Sequence, residues 1–464
     1  MAQARRLVVV GCSGCGALAG VTAKRLDPGM EVTVIREQEE KGLLTRCATP
    51  YICCGGVLVD ASYKDDRMFT EAGIRLVNHE ALAIDRKKRT VTTADREVHP
   101  YDKLVLAVGA KPAVPPIPGV ELPGVFTLRT SGDATAILHW MNSQRVSRAV
   151  LVGAGPIGIE EAYLLSSQGV RVTVVEMLDR VMAVALDPAM SQQVEKEMKE
   201  KGVDLRLSEK VEAVEAGEGG ERVGGVRLAS GETVPAGMVI VSAGVRCNTG
   251  LAVEAGLELG GRGLKVNEYL QTSDPDIYAG GDLIESPGHV TGEPMLGQLR
   301  PNAVIAGRVI ARNVMGAEIA YPRFINAFCT KFYDKSIAAA GITETEAESR
   351  GMQTVCATRT STSQHSMMPG RKPYTLKLVF EAESGKLIGG QIVSDSDSPA
   401  RSIDVIALAI RCGLTALDLA TFRAAGQPEL SADPGKEPIA LAAADALRDL
   451  PAGAGAPAAS FSPG

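Results

Sequence analysis

Three thiols and an arginine crowd one short stretch, RCATPYICCGG, at residues 46–56. A cysteine thiolate is a nucleophile toward sulfur–sulfur bonds, so Cys47, Cys53 and Cys54 beside Arg46 raise the prospect of redox chemistry. Thr49 followed by Pro50 reads as an N-cap and first-turn pair, which predicts a helix starting there. Cys47 then precedes the positive helix end with Arg46 next to it, and both effects favour the thiolate. Cys53 and Cys54 fall one turn further on. Packing as small apolar residues would account for them, and Cys53 is the better placed of the two as a resolving thiol. The chain has nine cysteines, at 12, 15, 47, 53, 54, 247, 329, 356 and 412. An odd number favours free or catalytic thiols over a disulfide framework. The five histidines are scattered, so no metal site is expected.

Two glycine loops stand behind this segment. RRLVVVGCSGCGALAG reads as a strand, a tight turn and a helix, followed by a second strand, EVTVIRE, ending in Arg36 and Glu37. The same plan returns in VSRAVLVGAGPIGIEEAYLLSSQGVRVTVVEM, residues 146–177. In such a loop the first glycine permits the turn and the second lets backbone approach a pyrophosphate. The third lets helix pack on strand, and the helix N-terminus attracts the phosphates. Gly153, Gly155 and Gly158 match fully, and Ile157 and Glu160 open the helix behind them. Glu176, closing the next strand, can bond both ribose hydroxyls and repel a 2′-phosphate, so NADH is expected rather than NADPH. Gly244, at the end of the apolar run MVIVSAGV, is counted with this site. The first loop keeps Gly11 and Gly16, with Gly14 between them, and places Ser13 at the middle glycine position. Glu37 would take the ribose there. One chain has little need of two NAD molecules, so the first loop is assigned to FAD.

A chain of 464 residues, 45% hydrophobic and 22% charged, is long enough for two to four globular domains. A net charge of −6 argues against nucleic acid or an anionic membrane as the main partner. The N-terminus lacks a signal-peptide pattern and no run is long enough to cross a bilayer, so the expected location is the cytoplasm. The Pro/Gly-rich stretch 109–124 reads as a crossing between domains. After about residue 325 a hairpin pattern, YTLKLVFEAESGKLIGGQIV, and an amphipathic helix, ARSIDVIALAIRCG, announce an α+β domain. The Ala/Gly/Pro-rich tail, 451–464, is expected to be disordered.

One more stretch carries a resemblance. TSDPDIYAGGD (272–282), with LVLAVGA (104–110), resembles the second FAD motif of the pyridine nucleotide–disulfide oxidoreductases. The resemblance runs from residue 6 to about 448. It implies an α/β fold with two Rossmann-like domains, for FAD and NAD, and a C-terminal α+β dimerisation domain. The implied order is FAD domain at 1–113, NAD domain at 114–244, FAD again at 245–325 and dimerisation domain at 326–450, in a homodimer. Asp282 would bond the flavin ribityl chain, with Gly109 and Arg46 also at the flavin.

CATPYI resembles the CGLPYY-type segment of the family's single-cysteine branch, which makes Cys47 the redox cysteine beside the flavin. Cys47 and Cys53 have five residues between them, not the four of the paired-cysteine branch. AKRLD (23–27) resembles a segment whose arginine, here Arg25, contacts coenzyme A phosphates. Tyrosines that face the partner's cysteine in coenzyme A-disulfide reductases are absent here. QHSMMPG and AAGQPELSADP stand in their places, with Met367 and Met368 in the first. His365 reads either as a proton source near the substrate or as an exposed loop histidine.

The resemblance therefore implies reduction of a disulfide, persulfide or polysulfide, smaller or differently shaped than coenzyme A disulfide. An NADH oxidase working through a Cys47 sulfenic acid is the first alternative. Gly14 stands where peroxidase members have a histidine. The second alternative is a carrier passing electrons from NADH through flavin to a redox protein.

Overall fold

The computed structural model describes residues 6–37, 42–451 and 454. Of the tail expected to be disordered, all but 451 and 454 lies outside these described residues. The chain divides into two compact units, the first comprising Met1–Ala113, Thr127–His139 and Gly244–Phe324. Its centre is a parallel sheet in the order Ile277–Ala279, Lys103–Leu106, Arg6–Val10, Glu31–Ile35, Arg75–Val77. Val9, Val34, Leu104 and Val105 are fully buried, as expected of parallel strands covered on both faces, which read as unbroken apolar runs. Helix Gly14–Leu26 packs on helix Arg300–Val314. The approach is close because the residues are small: a Cβ at Gly307 would lie 2.3 Å from the Cys15 carbonyl oxygen.

The second unit comprises Val114–Phe126, Trp140–Ala243 and Ile325–Gly464. The stretch 127–139, inside the expected NAD domain, thus belongs to the first unit. The second unit holds another parallel sheet, ordered Val125–Phe126, Met238–Val241, Arg148–Val152, Arg171–Val175, Asp204–Arg206. It also holds an antiparallel sheet ordered Phe328–Phe332, Lys335–Gly341, Leu387–Ser394, Pro373–Glu381, Thr354–Thr362. The expected hairpin is there, and helix Ile403–Arg411 stops just before Gly413, whose φ of +63° leaves the helix. The fold is α/β, with two Rossmann-like sheets and an α+β portion.

A buried ion pair ties the antiparallel sheet to the parallel part of this unit. The Asp187 carboxylate accepts from Lys377 Nζ (2.8 Å), Gln391 Nε2 (2.6 Å) and Thr345 N (3.0 Å). Burial pushes the Asp187 carboxyl up, but Lys377, Thr345 and Gln391 together outweigh it and hold it below its ordinary range. Among the described residues, no helix is long and apolar enough to cross a membrane.

Candidate functional site

In the first unit, Gly11 has a φ of +102°, and a Cβ there would lie 2.3 Å from the Ala107 carbonyl oxygen. A Cβ at Gly16 would lie 1.9 Å from the carbonyl oxygen of Gly11. Only hydrogen fits at either position. Ser13 is the N-cap of helix Gly14–Leu26, yet its side chain makes no capping bond and the first turn has no acid. The positive helix end is therefore left open to an anion. Cys12 and Cys15 are buried, and burial, then Asp282, pushes the Cys15 thiol up to about 12. It stays protonated. The strand expected to end in Arg36 and Glu37 stops at Ile35. Arg36 turns inward onto Asp66 (2.7 and 2.6 Å) and Asn78 (2.7 Å), while Glu37 is exposed.

Cys47 sits in a 3-10 turn, Arg46–Ala48, that runs straight into the five-residue helix Thr49–Cys53. This corrects the expected N-cap. Thr49 is already helical (φ −58°, ψ −40°), and its hydroxyl donates to the Arg46 carbonyl at 2.8 Å instead of capping. So short a helix sums few peptide dipoles. Cys47 is exposed, whereas Cys53 and Cys54, at the helix end, are 1% and 9% exposed.

From Arg46 a chain of contacts leads across the unit. Arg46 Nη1 donates to the Arg129 carbonyl at 3.0 Å, and Arg129 Nη2 donates to Asp282 Oδ2 at 2.7 Å. A Cβ at Gly109 would lie 3.6 Å from that Arg129 nitrogen. The Cys247 thiol donates to the Asp282 carbonyl at 3.2 Å; burial, then Asp282, raises its pKa. Arg46, Gly109 and Asp282 are thus brought together, with Cys47 the direct neighbour of Arg46. Sequence reading missed Arg129 and gave Cys247 no role. No motif spacing joins residue 129 to residue 282. Arg25 is not in this cluster: it is exposed on the last turn of helix Gly14–Leu26, at the opposite end from the loop.

The second unit repeats the loop. Gly153 has a φ of +112°, and a Cβ there would lie 2.6 Å from the Ser242 carbonyl oxygen. At Gly158 the distance is 2.1 Å to the Gly153 carbonyl oxygen. A Cβ at Gly155 would meet nothing within 4 Å, so the middle glycine faces open space. Gly155 caps helix Pro156–Ser167 without a side-chain bond, and Ile157 is exposed in its first turn. The Glu176 carboxylate accepts from Ala154 N (2.7 Å) and Leu178 N (2.9 Å), which aims it across the loop. Glu160 accepts from Thr330 Oγ1 at 2.7 Å; burial raises its pKa and this bond opposes the rise. Gly244, expected beside this loop, belongs to the first unit, where its carbonyl accepts from Ala113 N at 2.9 Å.

Within the same unit QHSMMPG and AAGQPELSADP lie side by side. His365 N donates to the Pro428 carbonyl (2.9 Å), and His365 Nε2 is 3.4 Å from Asp433 Oδ2. Met367 N donates to His365 Nδ1 at 3.3 Å, so both ring nitrogens are engaged within these loops.

Residues 5–302 match the pyridine nucleotide-disulphide oxidoreductase family, and residues 328–434 match its dimerisation domain. The chain belongs to this family. Among similar family members, an NADH oxidase of Methanocaldococcus jannaschii is 33% identical over 96% of this chain and 99% of its own. The NAD(P)H coenzyme A polysulfide/persulfide reductase of Pyrococcus horikoshii is 33% identical over 89% of this chain and 92% of its own. The solved NAD-dependent persulfide reductase of A. fulgidus superposes with a TM-score of 0.90 at 34% identity, covering 96% of this chain and 83% of that one. Family membership implies FAD and NAD(P)H as cofactors. The residues present fit two dinucleotides: each loop ends in an uncapped helix N-terminus, and each is closed by glycines that no side chain can replace.

Proposed function

We propose that this flavin-dependent oxidoreductase uses NADH to reduce a disulfide, persulfide or polysulfide through Cys47. The observation that carries the reading is an exposed thiol next to Arg46, which is linked through Arg129 to Asp282. FAD would be held by Gly11, Ser13, Gly14, Gly16, Glu37, Arg46, Gly109 and Asp282, in segments 1–113 and 245–325. NADH would be held by Gly153, Gly155, Ile157, Gly158, Glu160 and Glu176, all in the second unit. Bound FAD supplies the chemistry that takes a hydride from NADH and delivers an electron pair to sulfur. The Cys47 thiolate attacks one substrate sulfur; the substrate S–S bond breaks, a mixed disulfide forms on Cys47, and the other half leaves as a thiolate. Arg46 offers a fixed cation beside the reacting sulfur. Cys53, buried at the helix end, is the proposed second thiol.

The preference for NADH is argued from the second loop. The Glu176 carboxylate, fixed by the loop's own Ala154 N–H, would repel a 2′-phosphate. Arg180, a cation close by in sequence, is tied to Asp179 and to the Leu186 and Ala183 carbonyls. We further read the chain as a cytoplasmic homodimer, on the match of 328–434 to a dimerisation domain and on its odd number of cysteines.

Cys47→Ser tests this directly. Turnover of disulfide or polysulfide should fall about a thousandfold or more, while NADH still reduces the flavin. Undiminished sulfur reduction by the variant would contradict the reading. The name of the M. jannaschii relative favours a second reading, reduction of oxygen through Cys47. Oxygen uptake as fast as sulfur reduction in the wild type would support it.

A further inference from the structure

Helix Pro156–Ser167 leaves the GAGPIG loop carrying two successive carboxylates. Glu160 reaches Thr330. Glu161 is 1% exposed, and both of its side-chain oxygens are buried without a hydrogen-bond partner. Ser242 Oγ is likewise buried and unpartnered, on the residue whose carbonyl abuts Gly153. A charged carboxylate placed so would lose its hydration with no donor in exchange, so the group keeps a proton instead.

Among the described residues, no cation answers Glu161 from the three strands packed on its helix. Strands Arg148–Val152 and Arg171–Val175 carry charge only at their first residues, both exposed. Strand Phe328–Phe332 brings Cys329, which is exposed, Thr330, bound to Glu160, and Lys331, paired with Asp397 at 2.8 Å. Among the described residues, the neighbouring charge acting on Glu161 is Glu160. Burial, then Glu160, pushes Glu161 up to about 8.

We propose that Glu161 is a proton-holding residue that makes dinucleotide binding at the GAGPIG loop sensitive to alkaline pH: the loop binds while Glu161 is neutral and loses affinity when it ionises. The inference rests on the reading of this loop as the NADH site. Ionised Glu161 adds a negative charge about 8 Å along the axis from the helix end that receives the pyrophosphate. In a partly buried setting that repulsion is worth about tenfold in affinity.

The signs are fixed by linkage. The native state binds this proton more tightly than the unfolded chain, whose carboxyl has the ordinary value of 4.5, up to about 8. Stability therefore falls as pH rises through that window and levels off above it. NADH affinity is level below about 8 and falls above.

The test uses the flavin-loaded protein as wild type, Glu161→Gln and Glu161→Met. The Kd for NADH is measured from pH 6.5 to 9.5, and Tm without NADH from pH 5 to 9. The wild-type Kd should rise about tenfold above pH 8 and that of either variant about twofold or less. The Tm advantage of Glu161→Met over wild type should grow from pH 5 to 8 and then stay constant. Identical Kd profiles in all three proteins, or a Tm gap independent of pH, would overturn the proposal. Absence of NADH binding by the wild type at pH 7 would overturn the reading of the loop, and this inference with it. The Tm gap would then still report where the proton sits.

Discussion

At GCSGCG a Cβ on the third glycine would sit 1.9 Å from the first glycine's carbonyl oxygen; at GAGPIG the corresponding distance is 2.1 Å. Both first glycines have φ above +100° and abut a carbonyl at the end of the neighbouring parallel strand. The turns are the same object, set by the sterics of entering a helix from a strand. What surrounds them differs. The first loop has Ser13 in the middle, buried thiols at 12 and 15, and an exposed acid at Glu37. The second faces open space at Gly155, has its acid anchored by two backbone N–H groups, and hides a second acid, Glu161, behind it. Backbone geometry says that a dinucleotide fits; the side chains around the turn say which one and under what conditions.

The comparison breaks most sharply at the third glycine. Gly16→Val should abolish flavin retention, read as the absorbance of the purified protein. Gly158→Val should leave the flavin in place and weaken NADH binding about a hundredfold or more, since overpacking against backbone cannot relax by a rotamer change. If Gly158→Val lost flavin and Gly16→Val kept it, the assignment of the two loops would be reversed.

A smaller effect is expected at the acid. Glu176→Ala removes the proposed ribose acceptor and the repulsion of a 2′-phosphate, and should shift the NADH/NADPH ratio of kcat/KM toward NADPH by about ten- to a hundredfold. An unchanged ratio would remove Glu176 from the specificity argument. The smallest effect is expected at Ser13→Gly. The hydroxyl makes no capping bond, so flavin affinity should change about twofold or less. A larger loss would mean that the Ser13 hydroxyl, and not its backbone alone, contacts the cofactor.

The strands and turns of both loops were legible because parallel strands buried on both faces leave unbroken apolar runs, and because a tight turn admits so few residues. The hairpin at 373–394 was equally plain. The start of the thiol helix was not: Thr49 looks like a cap, but the 3-10 turn before it takes the Thr49 hydroxyl for the Arg46 carbonyl. Nor was the Arg129–Asp282 pair, because two residues 153 apart meet only through tertiary folding. Cys247 was invisible for the same reason. Glu161 could be seen in GPIGIEEA, but its missing partners could not, since burial of a carboxylate leaves no mark on spacing.

The central claim is that Cys47 is a two-electron redox centre joined to the flavin. Its most direct test is an anaerobic NADH titration, followed by flavin absorbance, of protein first exposed to excess disulfide and then desalted. Wild type should take up two electrons more than the flavin alone accepts and release a small thiol, while Cys47→Ser should take up only the flavin's own. Equal uptake by the two proteins, with no thiol released, would contradict it.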